Sequence, residues 1–86
     1  MWVVYLLLGN QKIIYTGITD DLKNRLRQHK NGQSKFTKRF KEIELIYTEN
    51  FETKTKAAKR EREIKGWSRN KKIEKLELPS SLYSSG

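Results

Sequence analysis

The sequence has no cysteine, one proline and one histidine, and its longest apolar run is Trp2 to Leu8. Without cysteine there is no disulfide framework, no thiolate metal site and no cysteine nucleophile. The apolar run falls far short of the roughly 20 residues that cross a bilayer. It carries neither a basic leader nor a small-residue cleavage site, so a cytoplasmic location without a membrane partner is expected. At 86 residues folding hides only about 60% of the surface of the unfolded chain, which allows one modest core and excludes a full dinucleotide-binding domain.

What the sequence does have is positive charge: 19 Lys and Arg against 10 Asp and Glu, for a formal net charge of +9. Aromatic residues make up 10%, more than a disordered chain carries, so the chain is expected to fold. The charge is uneven. Residues 35–42 carry a net +3, residues 43–50 a net −2 and residues 51–86 a net +5. Phe36, Phe40 and Trp67 are interleaved with the bases. Lys and Arg that neutralise phosphates release counterions and gain affinity without reading sequence, so nucleic acid is the partner such a surface fits best. The alternatives are a merely solvated basic face, or a basic surface that meets an acidic protein.

Trp2 to Leu8, the turn Gly9-Asn10-Gln11 and the run Lys12 to Ile18 have the pattern of a β-hairpin. The first strand is apolar on both faces, as a central strand is. A three-residue turn at 9–11 would set Tyr5 directly opposite Tyr15. Thr19 or Asp20 caps a helix from about Asp21, on which Leu22, Leu26 and His29 share a face and Asn31-Gly32 is the stop. Apolar positions 43, 45 and 47 alternate as in a third strand. Thr53 or Thr55 opens a second helix to about Lys65, and Gly66 separates it from a third, from Ser68 to about Leu76. The expected fold is a small α/β (α+β) domain over residues 1–78, a three-stranded antiparallel sheet flanked by helices in the order β-β-α-β-α-α. Residues 79–86 are polar and small, and are expected to be a disordered tail.

On the second helix Ala57, Ala58, Glu61 and Ile64 share an inward stripe, which sets a carboxylate among small apolar residues. It pairs with Lys65, Lys54 or Lys56, or it faces a cleft where a hard divalent cation would find an oxygen ligand.

Together these elements resemble the GIY-YIG endonuclease superfamily, in particular its small single-domain bacterial branch, and more distantly the nuclease domains of Slx-type and UvrC proteins. Val3-Val4-Tyr5 stands for the Gly-Ile-Tyr triplet and Tyr15-Thr16-Gly17 for Tyr-Ile-Gly. Ile18-Thr19, Asp21-Leu22, Arg25-Leu26, His29, Arg60-Glu61 and Ile64-Lys65-Gly66-Trp67-Ser68-Arg69 follow in the family's order. The likeness covers about residues 2–78; no residue matches the asparagine with which many members end.

The resemblance implies a metal-dependent endonuclease that hydrolyses phosphodiesters, DNA rather than RNA, in repair or recombination. Tyr5 and Tyr15 would be the paired active-site tyrosines, Arg25 the phosphate-binding arginine, His29 its partner one turn on, and Glu61 the sole protein ligand of one Mg²⁺ or Mn²⁺ ion. Tyr5, Tyr15 and His29 all stand as candidates for the general base. Lys35, Lys38, Arg39, Lys41, Lys65, Arg69, Lys71 and Lys72 are the expected nucleic-acid contacts, within a basic loop 35–41 and a basic region 54–75. A monomer is expected, with any target choice left to a protein partner. The competing reading is a binding module with the same fold and no turnover, although an inward carboxylate near bound phosphate would repel the ligand of a pure binder.

Overall fold

The computed structural model describes residues 1–31 and 40–82. Its elements are β1 (Trp2–Gly9), β2 (Ile13–Thr19), α1 (Leu22–Lys30), β3 (Ile43–Phe51), α2 (Lys54–Lys65), α3 (Arg69–Lys75) and a 3₁₀ turn (Ser80–Leu82). The architecture is the expected α+β fold in the order β-β-α-β-α-α. One antiparallel sheet has the strand order β2-β1-β3, so the most apolar strand is central.

Alternation along β1 gives the sheet two faces. Val4, Leu6 and Leu8 join Ala57 and Ile64 of α2, Ile73 of α3 and Leu76, Leu78 and Leu82 in one buried cluster. Each fully buried aliphatic side chain contributes about 1.5–3 kcal/mol relative to exposure. Tyr5 and Leu7 point the other way, and on that face Tyr5 meets His29 of α1. Side-chain oxygens cap each helix at its start: Asp21 accepts from Asn24 N, Thr53 from Lys56 N and Ser68 from Lys71 N. The first of these lies one residue beyond the Thr19 or Asp20 cap expected; Thr19 Oγ1 instead accepts from Asp21 N at 3.0 Å.

The hairpin register differs from the expected one. The loop is Asn10-Gln11-Lys12, Gly9 pairs with Ile13, Tyr5 stands opposite Gly17 and Tyr15 opposite Leu7. Asn10 and Gln11 both have left-handed backbones, with φ of 52° and 57°, a conformation asparagine tolerates. Asn10 also clasps the start of β3. Its Oδ1 accepts from Lys41 N at 2.8 Å and Glu42 N at 3.0 Å, and its N–H donates to Glu42 O at 2.8 Å.

On the other edge, Leu6 pairs with Tyr47 but Leu7 with Leu45, leaving Ile46 as the extra residue of a β-bulge. The bulge turns the expected 43, 45, 47 alternation over midway. Leu45 is left 37% exposed, and Ile46, Tyr47 and Phe51 pack on the core. Of the tail expected over residues 79–86, only residues 79–82 lie within the described residues. Leu82 is buried in the main cluster, and its carbonyl accepts from Arg69 Nε at 2.8 Å.

Candidate active site

Three side chains from three elements converge on the α1 face of the sheet. The Tyr5 hydroxyl on β1 lies 3.0 Å from His29 Nε2, in a buried contact. Tyr15 on β2 completes a triangle with ring centroids 6.3 Å from Tyr5 and 5.5 Å from His29, and Tyr5 and His29 are 5.8 Å apart. The two tyrosines are therefore diagonal neighbours on one face, not a directly opposed pair. Gly17, opposite Tyr5, makes this possible. A Cβ there would sit 2.6 Å from the Tyr5 hydroxyl oxygen, 2.8 Å from its Cζ and 3.2 Å from Tyr15 Cε2. The sequence shows Gly17 only as a member of a triplet, and its steric role emerges once the register is known.

The electrostatics follow from burial and from two flanking charges. Desolvation raises the Tyr5 pKa well above that of a free phenol. Tyr15 and Glu61 add to the rise, as does a hydrogen bond with Tyr15, and Arg25 opposes it. Tyr15 is raised by burial and then by Glu61, with Arg25 and the Tyr5 hydrogen bond acting against. Burial and then Arg25 lower the His29 pKa. Near neutral pH the cluster thus holds two neutral phenols and a neutral imidazole, bracketed by a cation on α1 and an anion on α2. Arg25, one turn before His29, is exposed, so its guanidinium is open to an anion from solvent.

Glu61 lies on the α2 flank beside buried Ala57 and Ile64, with its side chain 22% exposed. Lys65 Nζ is 3.6 Å from its Oε2 and is itself 53% exposed. An i,i+4 pair of this kind contributes about 0.3–0.5 kcal/mol, too little to explain why a carboxylate faces inward. Among the described residues no group of three or more His, Cys, Asp or Glu gathers to hold a metal. One half-buried carboxylate does not make a closed structural site. It does fit a hard divalent ion that keeps most of its waters.

A second network, unforeseen from sequence, fixes α2 against the sheet edge. Arg60 Nε lies 3.2 Å from Glu49 Oε1 of β3, and Arg60 Nη1 pairs with Glu63. Tyr47 donates to the other Glu49 oxygen. The Arg60 guanidinium carbon is 5.2 Å from the Trp67 ring centroid, and Lys71 Nζ is 5.6 Å from it. Trp67 also packs on the core. The helical spacing isolates Glu61 but gives no sign of Glu49, the partner of Arg60 on β3.

The basic candidates divide. Lys35, Lys38 and Arg39 lie outside the described residues. Lys41 is exposed and follows Phe40, whose ring lies where a Cβ on Gly9 would be. Arg69 spends Nε on Leu82 O and Nη1 on Lys12 O, tying the 3₁₀ turn to the hairpin end. The Lys72 pKa is lowered by burial and then by Arg69 and Lys65, so Lys65, the partner of Glu61, is one of three cations gathered here.

Comparison with known proteins agrees with this geometry. The family profile described as the GIY-YIG catalytic domain matches residues 1–74. A UPF0213 protein of Staphylococcus saprophyticus is 42% identical over 71 residues, 81% of this chain and 87% of its own. One of Staphylococcus epidermidis is 39% identical over 75 residues, 86% and 92% of the two chains. The solution NMR structure of a UPF0213 protein from Bacillus halodurans superposes with a TM-score of 0.59 at 33% identity, covering 90% of this chain and 84% of that one. With the profile spanning most of its length, the chain belongs to the GIY-YIG catalytic domain family, a nuclease family.

Proposed function

We propose that the chain is a divalent-metal-dependent endonuclease that hydrolyses phosphodiester bonds of DNA in preference to RNA, with Tyr5, Tyr15, Arg25, His29 and Glu61 as its catalytic set. The observation that carries the reading is the buried Tyr5–His29 contact at 3.0 Å, with Tyr15 beside it and Arg25 and Glu61 both acting on its electrostatics.

Attack on a phosphodiester needs a deprotonated water and neutralised phosphoryl oxygens. Arg25 supplies the second need, since its forked guanidinium is always charged and matches phosphate geometry. For the first, Tyr5 is a poor base alone, because burial holds its pKa up. Its partner His29 is neutral, and its Nε2 takes the Tyr5 proton as Tyr5 takes one from water, so no free phenolate builds up. Tyr15 holds the Tyr5 hydroxyl in line, and Glu61 holds the metal ion. When bound, Mg²⁺ or Mn²⁺ supplies Lewis-acid stabilisation of the developing charge on oxygen. Lys41, Lys65, Lys71 and Lys72 hold the backbone by charge, as do Lys35, Lys38 and Arg39, which fall between α1 and β3 in sequence. Arg69 contributes with the donors its carbonyl contacts leave over. Phosphate contacts position but do not specify, so cleavage has little sequence preference. The reading is of a cytoplasmic monomer in repair or recombination, directed by a protein partner.

The test is cleavage of labelled linear, flapped and four-way DNA, with RNA beside them, in Mg²⁺, Mn²⁺ or EDTA, by the wild type and by Glu61→Ala and Arg25→Ala. Metal-dependent cuts lost in both variants support the reading. Binding without cuts, unchanged in both variants, overturns it in favour of a non-catalytic binding module.

A further inference from the structure

Helix α2 carries six cations and two carboxylates, and their partners sort by flank. Glu61 meets Lys65 at 3.6 Å. Glu63 meets Arg60, which also reaches Glu49. Among the described residues no carboxylate oxygen comes within 4.0 Å of Lys54, Lys59 or Arg62. These three, with Thr55 and Ala58, line a shallow depression of about 420 Å³ on the outside of the helix. Its floor is small and largely apolar, and its rim is cationic.

The arrangement is partly preset. Lys54 Nζ is held 5.3 Å from the Trp2 ring centroid, which fixes one wall. Lys59 and Arg62 are like charges at i,i+3, a pairing that disfavours the helix until an anion lies between them. At 3.6 residues per turn, Lys54, Ala58, Glu61 and Lys65 share one flank, so Ala58, which lines the depression, lies about 4.5 Å of helix rise from Glu61. A solvated basic face needs neither the concavity nor the segregation of carboxylates.

We propose that Lys54, Lys59 and Arg62 form a second phosphate subsite on α2, which takes a backbone phosphate flanking the one acted on beside Glu61. The inference rests on the nuclease reading and names its substrate as a polymer held at two phosphates, not a single nucleotide. Arg62 presents a planar fork to the phosphate, Lys54 and Lys59 act as point charges and Thr55 offers a hydroxyl donor. Ala58 leaves room for the sugar.

The experiment measures binding of a fluorescein-labelled 20-base-pair DNA by anisotropy across a salt series, with the Glu61→Gln chain as parent so that no cutting intervenes. Removing Lys54, Lys59 and Arg62 together (K54A/K59A/R62A) lowers the magnitude of the log K against log salt slope by about one to two, as expected for lost phosphate contacts. A control removing Lys12, Lys23 and Lys75 changes it by less than half as much. K54R/K59R keeps the parental slope. Alanine favours helix at these exposed positions, so the variants are expected to fold, which circular dichroism checks. An unchanged slope in the subsite variant, or an equal change in the control, overturns the subsite and leaves the nuclease reading standing. A parent with no salt-dependent binding, together with a wild type that cuts nothing, overturns both.

Discussion

The hydroxyl of Tyr5 occupies the space that a side chain on Gly17 would take, 2.6 Å from the Cβ position. Glycine at 17 and the buried contact of Tyr5 with His29 are thus one feature seen from two strands. Gly17→Ala forces the phenol aside, and because the neighbouring group is a fully buried ring, the shift is costly. The expected outcome is a loss of about 1–3 kcal/mol in chemical denaturation, typical of overpacking, with cleavage reduced by more than the fraction unfolded explains. A variant with wild-type stability and activity would show that the ring moves freely.

His29 gives the fold a predictable response to acid. Its folded pKa lies below the ordinary value, by burial and then by Arg25, so below about pH 6.5 the unfolded chain binds a proton that the folded chain resists. Stability therefore falls as pH drops from neutrality through that range, before most carboxylates titrate. Melting temperatures of wild type and His29→Gln between pH 7.5 and 5 check this: the wild type loses stability and the variant stays flatter. Cleavage by His29→Gln should fall about 10²–10⁴-fold, the scale of a lost proton acceptor.

Tyr5 predicts the opposite edge. Its folded pKa is raised, mainly by burial, so its contribution to stability is intact below the unfolded pKa of about 10 and is lost as pH rises above it. Tyr5→Phe should resist alkaline unfolding better than the wild type while cleaving far more slowly.

Glu61→Gln separates chemistry from folding. The carboxylate's observed partner is Lys65, a largely exposed side chain, so the change in stability should stay within about 0.5 kcal/mol. Cleavage in Mg²⁺ or Mn²⁺ should be abolished, and electron paramagnetic resonance should show Mn²⁺ binding weakened at least tenfold. Full Mn²⁺ affinity in this variant would remove Glu61 from the metal site.

Leu82 sits in the core at 7% exposure, so the end of the described chain is structural. Leu82→Ala should cost about 2 kcal/mol, the low end for a buried leucine, and Arg69→Ala, which frees the Leu82 and Lys12 carbonyls, should destabilise in the same direction. Urea midpoints of the two variants and their double mutant give the coupling between them.

The order of the elements was legible because each depends on near neighbours in sequence, and the candidate site residues were named through the family resemblance those elements carry. An apolar run, a cap, an i,i+4 spacing from Arg25 to His29 and the stripe that isolates Glu61 are all local. What escaped depends on contacts across the fold. The hairpin loop is also tied through Asn10, whose partners Lys41 and Glu42 are some thirty residues away; a local count centres the turn one residue too early and opposes Tyr5 to Tyr15 instead of to Gly17. The bulge at Ile46 reflects the pairing of β3 with β1, which alternation within β3 cannot show. Leu82 hides among polar neighbours, and the Arg60–Glu49 pair joins elements that sequence leaves unconnected. Gly17 was visible as a motif letter, but its reason was not.

The strand order β2-β1-β3 sets the sequence of events in folding. The β1–β2 pairing closes a loop of three residues, whereas β1 meets β3 across separations from 34 residues, Gly9 to Ile43, to 49, Trp2 to Phe51. A lone hairpin is marginal in water, and until β3 docks, the apolar central strand keeps one edge open and able to pair with another chain. The rate of that late docking, set by its long-range contacts, governs how long newly made molecules stay prone to aggregate. The Asn10 clasp on residues 41 and 42 lies at the end of the β1–β3 pairing where the chain separation is shortest.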